Sequence, residues 1–131
     1  MTAATTLVLP AAVVCIDGPS GSGKGLLSAN LAKRCGWNVL DSGALYRLVA
    51  LSVIQQGVDL HDEVTLRRAC LALDASFLPG SDGIEVRLHG DPVAARLRHE
   101  DVGTMASQVA ALGIVREALL QRQRDYCQPP G

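Results

Sequence analysis

An apolar run over residues 12–16 leads straight into Gly18-Pro19-Ser20-Gly21-Ser22-Gly23-Lys24-Gly25, and this junction constrains the fold more than any other stretch. The run carries the β-branched Val13, Val14 and Ile16, which suits a strand covered on both faces of a parallel sheet. Residues 26–34 follow with helical spacing, Leu27 and Leu31 on one face, and Gly36 as the stop. Residues 37–40 read as a second short strand, ending at Asp41-Ser42-Gly43. Strand, glycine loop, helix and strand compose one βαβ unit. The expected fold class is therefore α/β, a parallel sheet with flanking helices.

The glycine loop has a chemistry that its residue types explain. Gly18, Gly21 and Gly23 allow successive backbone N–H groups to turn inward toward phosphate oxygens. Lys24 supplies a cation for the β- and γ-phosphates, and the helix that starts near Gly23 adds its positive end. A strand before and a helix after are the context a P-loop requires. The expected ligand is a nucleoside triphosphate, held by residues 18–26. Two positions depart from the commonest form. Gly25 stands where a Ser or Thr hydroxyl usually holds Mg²⁺, and Leu26 stands where a second hydroxyl often reaches the phosphates. No protein ligand for a metal is identified.

Further along, residues 44–55 return to helical spacing through Leu45, Leu48, Val49 and Val53, with Asp41 or Ser42 as cap and Gly57 as stop. Asp59 or Asp62 opens another helix, whose apolar side is Val64, Leu66, Ala69, Cys70 and Leu73. Residues 75–78 and 84–88 are strand candidates joined by the hairpin loop Pro79-Gly80-Ser81-Asp82-Gly83. Helices are expected over 100–112 and 114–126, and Gln128-Pro129-Pro130-Gly131 breaks the last one. Cys70-Leu71-Ala72-Leu73-Asp74 resembles an apolar strand ending in a metal-binding aspartate. Its apolar residues continue the preceding helix, so Asp74 is rejected as a metal ligand.

With 131 residues, 48% of them hydrophobic, the chain can pack one core. A net charge of −1 argues against a surface for nucleic acid polymers, so phosphate recognition must be local. Cys15, Cys35, Cys70 and Cys127 are widely spaced, as reduced thiols of a cytoplasmic protein are. His61, His89 and His99 lack metal-ligand spacing and read as surface residues. The early apolar run has no basic flank and is interrupted by Pro10; neither a signal peptide nor a membrane span is expected.

GPSGSGKG at residues 18–25, DSGALYR at 41–47 and SQVA…VREALL within 107–120 together resemble bacterial cytidylate kinase, over nearly the whole chain from about Val13. The Lys24-Gly25 pair is typical of nucleoside monophosphate kinases. From the residues themselves, 41–47 follow the second expected strand, at the carboxyl edge where α/β folds place ligands. Arg47 can fork onto a monophosphate, Ser42 can cap a helix or bond phosphate or sugar, and Tyr46 can flank a base or sit in the core. The resemblance implies that Ser42 and Arg47 contact the nucleoside monophosphate and that Ser107 and Arg116 help read the cytosine. It places Arg98 where the family carries arginine, without a role. Arg122 and Arg124 read as solvated charges.

The resemblance also implies a P-loop kinase fold of which this chain is the N-terminal part. A flexible start over 1–11 precedes a βαβ core over 12–56. A monophosphate-binding insert with a small β-hairpin covers 57–101, and core helices occupy 102–131. A third strand, lying between the first two, would come after residue 131, so the chain is expected to be a truncation. The implied activity is phosphorylation of CMP and dCMP by ATP with Mg²⁺, in a monomeric enzyme. Lys24 and Arg47 would be its catalytic residues here. The alternatives are a non-catalytic nucleotide-binding fragment, or another small-molecule P-loop kinase acting on UMP, AMP or shikimate.

Overall fold

The computed structural model describes residues 10–19 and 21–131. The glycine loop therefore lies within the described residues except for Ser20, and most of the expected flexible start, 1–9, lies outside them. The chain forms α1 (Lys24–Cys35), α2 (Ser42–Gln56), α3 (Glu63–Leu71), β1 (Ala75–Gly80), β2 (Gly83–Leu88), β3 (Asp91–Pro92), α4 (Ala94–Leu97), α5 (Glu100–Ala110) and α6 (Gly113–Tyr126).

α2 is the centre of the core. Leu45, Leu48, Val49 and Val53 are buried as their spacing predicts, and so are Ala50, Leu51 and Ser52. Burial this far around a helix requires neighbours on several sides, and α3, α4, α5 and α6 all pack on α2. Its start is set by Asp41, whose Oδ1 accepts from the Ala44 N–H at 3.1 Å; Ser42 is the first helical residue rather than the cap. Gly57 closes it. Asp41→Ala should lower stability by about 1 kcal/mol, the usual cost of an N-cap acceptor, read from the urea midpoint. An unchanged midpoint would mean that the Ser42 hydroxyl substitutes for it.

α3 is capped by Asp62, which accepts from the Thr65 N–H and hydroxyl at 3.1 and 2.6 Å. Leu66, Cys70 and Leu73 face the core, but Val64 is 69% exposed. Burial pushes the Cys70 thiol up to about 11, so it stays protonated and inert. The helix stops at Leu71, which is exposed, so of the apolar residues after Cys70 only Leu73, past the helix end, turns to the core; Asp74 follows with its carboxylate 3.7 Å from His89 Nδ1.

The sheet that forms is antiparallel, in the order β1-β2-β3. Gly80 pairs with Gly83, so the hairpin closes on Ser81-Asp82, tighter than the expected five-residue loop. β3 and α4 were not legible in the sequence: one is two residues long, the other a single turn. His89 and Gly90, with φ of 53° and 81°, make the left-handed two-residue turn between β2 and β3.

The expected strands over 12–16 and 37–40 do not form, and with them the βαβ unit. A strand exists only through a ladder partner. The two segments instead line a common cavity of 330 Å³. Val13 and Val14 remain 53% and 56% exposed, not covered on both faces. The last residues reach the same cavity: Gly131 O accepts from the Asn38 N–H at 2.8 Å, and Cys127 Sγ lies 3.4 Å from Ala11 O. α1 is also turned from its expected orientation. It packs on the β1–β2 hairpin and buries Ala29 and Ala32, while Leu27 is 58% exposed.

Candidate active site

The glycine loop runs into α1 with Gly21 and Gly23 at φ 78° and 86°, backbone that L side chains rarely adopt. The loop is closed on itself by the Ser22 N–H, which donates to Pro19 O at 3.2 Å. Lys24 reaches back across it, and its Nζ donates to Gly18 O at 3.1 Å. Gly23 O accepts from the Leu27 N–H, which leaves the N–H groups of Lys24, Gly25 and Leu26 without acceptors inside the helix. The first turn of α1 carries no acidic residue to offset its positive end. Loop, lysine and helix end together present exposed N–H donors and a cation, an arrangement able to receive an anion.

Ser42, at the start of α2, lines the 330 Å³ cavity together with Asp17 and Ser28, on either side of the loop. Ser42 and Arg47 are five residues apart on α2, roughly 140° around its axis, so they point to different sides. Arg47 Nη1 donates to Leu97 O at 2.8 Å, and the same atom lies 3.8 Å from the Cβ position of Gly103 on α5. Ser107 Oγ donates to Gly103 O at 3.3 Å. Arg116 Nη1 donates to Ala110 O, at the C-terminal end of α5, at 3.1 Å. Gly103, Ser107 and Ala110 stand at i, i+4 and i+7, one face of a helix. Arg47 and Arg116 therefore mark the two ends of one strip along α5, about 10 Å long, with Ser107 between them.

Tyr46 is half-buried and packs against the core. Arg98 closes α4. Arg122 is not merely solvated: its Nη1 donates to Leu71 O at the end of α3 at 2.9 Å. The acceptor that fixes Arg47 depends on the α4–α5 turn, and no residue type announces it. That turn is clamped by Arg96, which makes paired hydrogen bonds of 2.8 and 2.9 Å to the Asp101 carboxylate.

Those bonds hold Asp101 below its ordinary 3.8, at about 2. A depressed carboxylate contributes its full stabilisation above the unfolded value and loses it as pH falls through the folded one. The clamp should therefore open between about pH 4 and pH 2. A carboxyl NMR titration should put the Asp101 midpoint near 2 and return it toward 3.8 in Arg96→Gln. A midpoint still near 2 in that variant would assign the effect to the Val102 N–H instead.

The family model for cytidylate kinase matches residues 14–131. Among curated proteins, a cytidylate kinase of Pseudomonas fluorescens strain Pf0-1 is 55% identical over 123 residues, which is 92% of this chain and 54% of the relative. A cytidylate kinase of Azotobacter vinelandii is 52% identical over 121 residues, 91% of this chain and 53% of the relative. The chain thus spans about half the length of the curated relatives it matches. A family match from the foot of the glycine loop through α6, at this identity, places the chain in the cytidylate kinase family.

Proposed function

We propose that the protein represented by this chain transfers the γ-phosphoryl group of ATP to CMP and dCMP, giving the diphosphates. The observation that carries the reading is an exposed phosphate cradle within a chain 55% identical to a cytidylate kinase. In this reading the N–H groups of the loop and of the first turn of α1 receive the triphosphate. Lys24 exchanges Gly18 O for phosphate oxygens, and its charge offsets the negative charge on the transferred group. Arg47 receives the monophosphate of the acceptor, while Ser107 and Arg116 read the cytosine from the far end of the α5 strip. Ser42 bonds phosphate or sugar from the cavity side. Catalysis is then alignment of donor and acceptor plus charge neutralisation.

The residues around the loop do not compose a protein cage for Mg²⁺, since Gly25 has no hydroxyl where such loops usually supply one. The ion would arrive as part of MgATP, and no step above runs through it. The parallel sheet of a P-loop kinase, a monomeric state and a cytoplasmic setting belong to the same proposal. The setting is supported by four free cysteines.

A coupled assay of ADP formation tests the activity, with CMP, dCMP, UMP, AMP and shikimate as acceptors. Preference for CMP and dCMP is expected, and preference for AMP or shikimate would overturn the reading. A second reading, a non-catalytic nucleotide-binding fragment, is favoured by Leu26, which brings no hydroxyl to the phosphates. ATP binding without turnover of any acceptor would select it.

A further inference from the structure

The tip of the hairpin is built for close backbone approach. Gly80 and Gly83 face each other across the Ser81-Asp82 turn, and a Cβ on Gly80 would come within 2.9 Å of Gly83 O. Gly83 has φ 131°, a conformation that a side chain would strain. Its Cβ position lies 3.8 Å from Gly25 C and from Leu26 N. The tip therefore rests backbone against backbone on the first turn of α1, the turn whose N–H groups belong to the phosphate cradle. A second tie lies further along the helix, where Lys33 Nζ donates to Gly80 O at 2.9 Å, across 47 residues of sequence. Gly25, Ala29 and Lys33 stand at i, i+4 and i+8, so both ties and the buried Ala29 share one face of α1.

The hairpin also packs on α6 at its other end, through the edge-to-face pair of Phe77 and Tyr126 with ring centroids 6.0 Å apart. The first turn of α1 is thus referred to the core through the hairpin.

We propose that the β1–β2 hairpin supports the phosphate loop, and that Lys33 and Gly83 are positioning residues for the triphosphate that touch no nucleotide themselves. The proposal rests on the reading of the loop as an ATP site. It makes the hairpin a mechanical link between the segment expected to cover the monophosphate and the donor site.

The test uses the whole 131-residue chain, with Lys33→Met, Lys33→Arg and Gly83→Ala. Calorimetric titration with MgATP is done well below the thermal midpoints. Amide hydrogen exchange of residues 24–27 is followed without nucleotide. Lys33→Met should weaken ATP binding about three- to tenfold, less than the loss of a direct charge-assisted bond because Lys33 acts through the hairpin, and Lys33→Arg should restore it. Exchange over residues 24–27 should speed up in Lys33→Met and Gly83→Ala. A purely structural role would lower the thermal midpoint, leave ATP affinity alone and show no rescue by arginine. ATP affinity equal in all folded variants, or no rescue, overturns the proposal. If the unsubstituted chain binds no ATP, the reading of the loop fails, and exchange then decides the link. Faster exchange in Lys33→Met upholds it and unchanged exchange overturns it. Lys33 is exposed, so its variants keep the test open if Gly83→Ala does not fold.

Discussion

Lys24→Met should reduce the affinity of the chain for ATP by about 10- to 100-fold, which corresponds to roughly 1.5–3 kcal/mol for a hydrogen bond to a charged group. The Lys24 side chain is exposed, and its one bond within the described residues is the 3.1 Å contact to Gly18 O. Removing it leaves the core untouched, so the thermal midpoint should stay within a degree or two of the unsubstituted chain. The methionine keeps most of the aliphatic stem and loses only the cation. Backbone N–H groups and the end of α1 remain, so binding should weaken rather than vanish. Calorimetric titration measures the affinity. Equal affinities for the two chains would show that the triphosphate does not lie on this loop.

Leu48→Ala should have the largest effect on the fold, about 2–5 kcal/mol, because deletion of a buried leucine loses transfer free energy and leaves a cavity. Leu48 is fully buried on α2, between the residues that meet α3, α4, α5 and α6. A domain of this size has only about 5–15 kcal/mol to lose. The neighbouring Arg47 depends on the same packing, since its partner Leu97 O belongs to α4. Urea unfolding should show the lost stability. A loss below about 1 kcal/mol would mean that the neighbouring helices close over the gap. Because Arg47 is held by the position of α4, the variant should also weaken monophosphate binding more than ATP binding.

Much of the helical framework was legible because its signals are local. The spacing of Leu45, Leu48, Val49 and Val53 placed α2, Gly57 marked its end, and the alternatives for the two helix starts, Asp41 or Ser42 and Asp59 or Asp62, each included the observed cap, Asp41 and Asp62. The hairpin was legible too, from glycines flanking a turn between apolar runs. The glycine loop was read from residue types alone, and its Gly21 and Gly23 adopt the left-handed backbone that only such residues adopt freely. Of the residues expected to hold CMP, Arg47, Ser107 and Arg116 are distributed along α5, while Ser42 lies apart at the cavity. The family resemblance named all four. It did not say that Gly103 and Ala110 would provide the strip that relates three of them.

The readings that failed share a cause. Val13, Val14 and Ile16 have strand character, but a ladder needs hydrogen-bond partners that a run of five residues cannot supply. Leu27 and Leu31 form an apolar face by spacing, yet α1 meets the hairpin through the face bearing Gly25, Ala29 and Lys33. Arg122 has no feature that distinguishes it from a solvated arginine until α3 brings Leu71 O within reach, 51 residues away. By itself the sequence determined the loop, the helix ends and the buried side of α2, since each depends on residues within one or two turns. Only the tertiary structure decided which face of α1 is covered, which carbonyl holds Arg47, and whether the apolar run before the loop becomes a strand. Those outcomes are set by partners some 50 residues distant, and no local pattern encodes where such partners will lie.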